Sequence, residues 1–174
     1  EAEALSSVVI TKEHVLDLVL VKTTAGWLIG RTIVVQSFRQ WGRRDRERPF
    51  ADPRRGMLPP KVARMLVNIA RAPLARSHLA RQGETFLKST LLDPFCGMGT
   101  ILAEALLTGW NVIGSDISAS GLRQAQGNIN WLEVNYPQIK SLRRQFLVSD
   151  AVHVSEKLAP TSVDVIVTEP FLGT

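Results

Sequence analysis

Residues 91–106, LLDPFCGMGTILAEAL, join three kinds of local chemistry. Leu91 and Leu92 end a short apolar strand, Asp93 opens a turn carrying Gly97 and Gly99, and Ile101, Leu102, Ala105 and Leu106 recur at helical spacing. Two glycines this close remove Cβ atoms where the main chain must bend, and open its N–H groups to a nucleotide-like ligand. Asp93, at the carboxyl end of the strand, adds an acceptor for an ammonium or a hydroxyl group. The dinucleotide fingerprint needs a third glycine where this chain has Leu102, so the turn departs from the pyrophosphate pattern. A glycine turn without any ligand is the plain alternative.

Working outward toward the carboxyl end, the pattern repeats. Gly109 stops the helix and Asn111 to Ser115 reads as a second strand ending at Asp116, 23 positions beyond Asp93. A right-handed crossover of that length sets the second acid beside the glycine turn, where a carboxylate suits the two hydroxyls of a ribose. A helix-capping role is the competing reading for Asp116. Residues 119–134 are helical in pattern, with Leu122, Ala125, Ile129 and Leu132 toward the core. A third strand over residues 143–148 leads to Asp150 and Ala151, where the acid suits an adenine amino group and the backbone another ring atom. The fourth, residues 162–167, is nearly all apolar or β-branched, as in a strand covered on both faces, and empties into Thr168, Glu169, Pro170 and Phe171.

Toward the amino end, LDLVLVKT from Leu16 alternates like a half-buried strand, Thr24 to Gly26 form a turn, and residues 27–36 make the return strand of a β-hairpin. Residues 41–58 lack an apolar period and read as a long arginine-rich loop. Between Arg39 and Arg55 stand seven arginines against three acids, a local excess of +4 in a chain whose net charge is +5. Arginines bind phosphates bidentately and stack on bases, which makes Arg43, Arg44, Arg46 and Arg48 nucleic-acid candidates; a solvated charge run is the alternative. A helix is expected from Pro60 to Arg71, followed by a polar connection containing Pro73 and Gly83.

Composition bounds the rest. With 174 residues and 45% hydrophobic content, the chain can bury a core. No apolar run approaches the roughly 18 residues of a membrane helix, and no signal-peptide pattern opens the chain, so a cytoplasmic protein without a membrane partner is expected. One cysteine and three histidines leave no disulfide and little material for a metal site, so no metal is expected. Cys96 lies in the glycine turn with no histidine near it in sequence to activate it, which favours packing over nucleophilic chemistry. The chain opens on Glu1, as an excerpt or processed product would.

DPFCGMGT resembles motif I of the Rossmann-like S-adenosylmethionine-dependent methyltransferases. With SDIS, SDA and TEPFLG following in order, and RRDRERPFADPRRGMLPPKVARMLVNIA ahead of it, the chain from about Leu16 onward is similar to the family of RNA methylases that often carry a THUMP domain and include transfer-RNA guanosine amino-methyltransferases. The resemblance implies an α/β Rossmann-like methyltransferase fold, with S-adenosyl-L-methionine as cofactor and RNA, foremost transfer RNA, as partner. It implies a cofactor site of Asp93, Phe95, Gly97, Gly99, Asp116, Ile117, Asp150 and Ala151, and a catalytic block of Glu169, Pro170 and Phe171. In that block the family has an acid or amide, two prolines and an aromatic residue. Aligning TEPFLG on T-D-P-P-Y-G sets Glu169 on the acid and Leu172 on the aromatic position; a shift by one sets Phe171 on the aromatic and Thr168 on the acid.

The chemistry accounts for such a block. An exocyclic amino nitrogen delocalises its lone pair into the base, and a carboxylate with backbone carbonyls can orient that nitrogen and offset its growing charge. An apolar wall, for which Phe171 is the candidate, stacks a base that has left its helix. The expected organisation is a hairpin and linker over residues 1–40, the arginine-rich loop over 41–58, and over 59–174 the amino-terminal part of a methyltransferase domain. Its parallel sheet, with only the first four strands, is incomplete, and the remaining half or a partner chain should cover the fourth. A DNA adenine or cytosine amino-methyltransferase and a non-catalytic cofactor- or RNA-binding fragment are the competing classes.

Overall fold

The structure is a computed structural model that describes residues 7–12, 15–52, 57–80 and 89–170. It divides into two compact units, residues 1–43 and residues 44–174. The first holds helix α1 (Ser7–Lys12) and an antiparallel hairpin of β1 (Leu18–Thr23) and β2 (Gly26–Arg31), paired from Leu18 with Arg31 to Thr23 with Gly26. Gly26, at φ 131°, makes the turn, and the Thr23 hydroxyl bonds the Gly26 carbonyl at 2.9 Å. The return strand stops at Arg31, short of the expected Gln36. Nor is the ribbon half-buried: Leu18, Leu20, Leu28 and Ile29 are all exposed, because a two-stranded ribbon has no second layer of its own.

Helix α2 (Phe38–Arg46) corrects the loop expected from residue 41. Its inward side chain is Arg44, so the helix is amphipathic through ion pairing and no apolar period announces it. Helix α3 (Pro60–Ala80) starts where expected but runs nine residues past Arg71, with Pro73 inside it. The alanines and arginines before Pro73 are strong helix formers, and a proline costs only its own hydrogen bond and a local kink when the flanking turns are sound.

The second unit is built on a parallel sheet of β3 (Thr90–Asp93), β4 (Asn111–Asp116), β5 (Arg144–Val148) and β6 (Val165–Ile166), in the order β5-β4-β3-β6. Helix α4 (Thr100–Leu106) connects β3 to β4, and α5 (Ala119–Asn135) connects β4 to β5. The first three strands follow the order in which one half of a doubly wound sheet is laid down, and β6 is the strand added after the chain has crossed back over β3. Alternation along the strands splits the core. Leu91 and Val112 face a large cluster with Leu102, Leu106, Trp110, Ile129 and Leu132, while Leu92 and Ile113 meet Val154 on the other face. A 3-10 turn over Ala151–Lys157 supplies Val154.

Strand β6 differs from expectation: it is two residues long, with Val167 buried but Ile166 60% exposed. It is an edge strand wetted on one side, since an apolar sequence reports capacity for burial and not the presence of a covering layer. Among the described residues, no helix is long and apolar enough to cross a membrane.

Candidate functional site

Three strand ends meet the glycine turn. The turn closes through Gly99 N–H to the Cys96 carbonyl at 2.7 Å and Cys96 N–H to the Ser115 carbonyl at 2.9 Å, with Gly97 at φ 49° and Gly99 at φ 80°. The two glycines do different work. A Cβ on Gly99 would come within 3.2 Å of the Ala125 Cβ, so this glycine lets α5 pack on the turn. A Cβ on Gly97 would meet nothing within 4 Å and would project into free space.

Asp116 ties β4 to this turn. Its carboxylate accepts the Gly97 N–H and the Ser118 N–H, both at 2.8 Å, and Ser118 in turn caps α5 by accepting the Gly121 N–H at 3.1 Å. Asp93 is 2% exposed and accepts the Thr168 hydroxyl at 2.7 Å and the Phe95 N–H at 3.2 Å. Burial pushes its carboxyl up to about 7; the two hydrogen bonds oppose that shift, and the neighbouring charges of Asp116 and Glu169 add to it. Burial likewise raises the Cys96 thiol far above its ordinary range, helped by Asp93 and Asp116, which removes the thiolate a nucleophile would need.

Asp93, Cys96, Gly97 and Asp116 line one cavity of about 440 Å³, a volume usual for small-molecule sites, while Gly99, expected among the cofactor contacts, is not on its wall. Of the residues singled out in the sequence, Asp93, Phe95, Gly97, Asp116, Ile117 and Glu169 are on its wall. Its wall is drawn from the carboxyl ends of β3, β4 and β6, and the chain order of the sheet reverses between β3 and β6, the kind of place where doubly wound sheets take ligands. Phe95 and Ile117 present apolar surface beside the acids, at 47% and 75% exposure. The set fits a nucleoside that carries a cation: acids for an ammonium and a diol, apolar side chains for a ring, and no Cβ at Gly97 to obstruct it.

Other expectations come out differently. Asp150 accepts the Val152 N–H at 3.0 Å and caps the 3-10 turn; neither it nor Ala151 is on the cavity wall. Pro170 is half-buried and also off that wall, and Phe171 lies outside the described residues. Arg44 and Arg48, each 8% exposed, are corrected as phosphate contacts. Arg44 Nε pairs with Glu104 Oε1 at 2.7 Å, Arg64 Nη2 meets Glu104 Oε2 at 2.7 Å, and Arg48 Nη1 donates to the Thr100 hydroxyl at 2.7 Å. A guanidinium already desolvated onto an internal acceptor cannot also reach an external phosphate. Arg43 and Arg46 are exposed.

Sequence reasoning missed Thr168 as a partner of Asp93, and Met57 and Leu58 as cavity walls. Thr168 stands next to Glu169 and could have been found from the strand end it shares; Met57 and Leu58 carry no local signal.

Comparison with known proteins follows the same lines. The family model described as RMKL-like, methyltransferase domain matches residues 46–173. The chain is 32% identical over 127 residues to a tRNA (guanine(10)-N2)-dimethyltransferase of Pyrococcus abyssi, covering 73% of this chain and 31% of the relative. With the Methanocaldococcus jannaschii protein of the same description it shares 36% over 123 residues, covering 68% and 29%. The chain thus spans about 30% of the length of these curated relatives. Among solved structures, a SAM-dependent methyltransferase from Agrobacterium tumefaciens superposes with a TM-score of 0.45 at 17% identity, over 97% of this chain and 41% of that one.

Proposed function

Because the chain belongs to the RMKL-like methyltransferase-domain family, we propose that it carries the cofactor-binding core of an enzyme that methylates an exocyclic amino group of a base in RNA, with guanosine in transfer RNA as substrate. The observation that carries this reading is the convergence of Asp93, Asp116 and Glu169 on one cavity whose wall has no side chain at Gly97. The curated relatives named above are described as acting on guanine in tRNA, which supports RNA over DNA.

S-adenosyl-L-methionine, when bound, supplies a methyl group already activated on a sulfonium. Asp93 would hold its ammonium and Asp116 its ribose diol, with Ile117 and Phe95 against the adenine. Glu169, exposed and on the cavity wall, would accept hydrogens from the target amino group and so orient the nitrogen lone pair. Its charge would offset the positive charge that develops on nitrogen, and the surplus amino proton can pass to water. Among the described residues the block supplies Glu169 and Pro170, and the role of Phe171 as the wall for the base stays with the resemblance. Arg43 and Arg46 are the arginines of the original set proposed to meet phosphates.

Calorimetric titration with S-adenosylmethionine and methyl transfer by the intact protein test the reading together. Asp116→Ala should abolish measurable cofactor binding. Glu169→Gln should keep cofactor binding and lose at least a hundredfold in transfer to transfer RNA, the usual scale for removing a charge-stabilising group. Transfer to duplex DNA in place of RNA would reject the substrate assignment, and unaltered cofactor affinity in Asp116→Ala would reject the site.

A further inference from the structure

The stretch from Arg48 to Phe50 is fastened to the cofactor turn. Asn128 of α5, 4% exposed, grips the Phe50 peptide from both sides: its Oδ1 accepts the Phe50 N–H at 2.9 Å and its Nδ2 donates to the Phe50 carbonyl at 2.9 Å. The other hydrogen of the same Nδ2 goes to the Met98 carbonyl at 3.0 Å. Two residues before Phe50, Arg48 donates to Thr100 at the start of α4. The Phe50 ring is seated on Gly127, where a Cβ would come within 2.5 Å of its Cε2. A glycine inside a helix is otherwise destabilising against alanine, so this one makes sense as a seat for the ring.

Met98 is the residue between Gly97 and Gly99. Glycines have the widest backbone freedom, and a turn with one on either side of Met98 has little stiffness of its own. What holds it must come from outside, and the Asn128 amide is bonded to its centre. The geometry points to Asn128, with Phe50 locked behind it, as the positioning residue that preorganises the cofactor turn, so that the turn is ordered in folding and not at the expense of binding. The stretch read in the sequence as an RNA-facing loop is here a brace for the cofactor site.

The affinity arm of the test rests on the S-adenosylmethionine reading; a second arm does not. Asn128→Asp keeps the acceptor for Phe50 and loses both donated bonds. Gly127→Ala changes neither Asn128 nor any residue of the turn and drives the Phe50 ring off its seat. Ile139→Val, a change in the core at a residue 1% exposed, controls for general loss of stability. Both brace variants should bind S-adenosylmethionine about tenfold more weakly, the equivalent of one hydrogen bond. Amide hydrogen exchange at residues 97–99 should speed up in both, while Ile139→Val leaves cofactor affinity and exchange in the turn as in the parent. Unchanged exchange at residues 97–99 in Asn128→Asp overturns the brace, and so does equal weakening by Ile139→Val. Failure of the parent chain to bind the cofactor at all strikes at the functional reading, and the exchange arm still decides the brace.

Discussion

The Asp93 carboxyl lies between the Thr168 hydroxyl and the Phe95 N–H, yet burial and two neighbouring acids hold it at about 7 against an ordinary 3.8. Near neutral pH it is half protonated. An ammonium placed against it would favour the carboxylate, so ligand binding should expel a proton and tighten as pH rises from 6 to 8. Titration calorimetry in buffers of differing ionisation heat measures that proton, and a pH-independent affinity would contradict it. Without ligand the sign reverses: the fold favours the protonated acid, and its contribution to stability is complete below about pH 4 and lost as pH rises through 7. Asp93→Asn should therefore raise the melting temperature at pH 8 relative to the parent and flatten its pH dependence. Thr168→Val, which removes a bond to the charged form, should move the affinity profile to higher pH; Thr168→Ser should leave it in place.

Leu102 stands where the dinucleotide pattern has its helix-packing glycine, and α4 nonetheless lies close on the sheet. Relief comes from the facing strand. A Cβ on Gly114 of β4 would sit 2.4 Å from Leu102 Cδ1 and 3.1 Å from Cys96 Sγ, so the missing side chain has moved from helix to strand. Gly114→Ala should cost about 1–3 kcal/mol by overpacking, measured by denaturant unfolding. Added to Leu102→Ala, which alone forfeits about 2–5 kcal/mol of core packing, it should cost far less, because the methyl then fills the space that leucine left. Strict additivity would show that the helix does not rest on this pair. Helix α2 and the residues just after it carry the complementary lesson: Arg44 and Arg48 have the composition of a surface loop, and only the buried Glu104 and the Thr100 hydroxyl opposite them make them interior residues.

At the scale of the molecule, β3 pairs with β4 on one side and β6 on the other, and Asp93 with Thr168 bridges the gap at the point of reversal. No strand pairs with the far side of β6 among the described residues, and Ile166 of this strand has an exposed apolar side chain on the sheet face. Such an edge invites another chain. The chain spans about 30% of the length of its curated relatives, and the bare edge suits a further strand or a partner chain. The 174-residue chain should accordingly self-associate with rising concentration in sedimentation velocity, and Ile166→Lys should suppress it; a parent chain that stays monomeric throughout would count against this.

The strand, glycine turn and helix of residues 90–106, the β-α-β order after them, and the acids at three strand ends were legible because turn chemistry and apolar period are properties of neighbours in sequence. Six residues of the cavity wall could be named for the same reason, since the parallel strands of one sheet bring their carboxyl ends to one rim. Packing alone decided the rest. Phe50 meets Asn128 across 78 positions, Arg44 meets Glu104 across 60 and Thr168 meets Asp93 across 75. Whether an arginine faces water or a carboxylate, and whether an aspartate near pH 7 holds its proton, depends on desolvation, and desolvation exists only once distant segments have closed over the group.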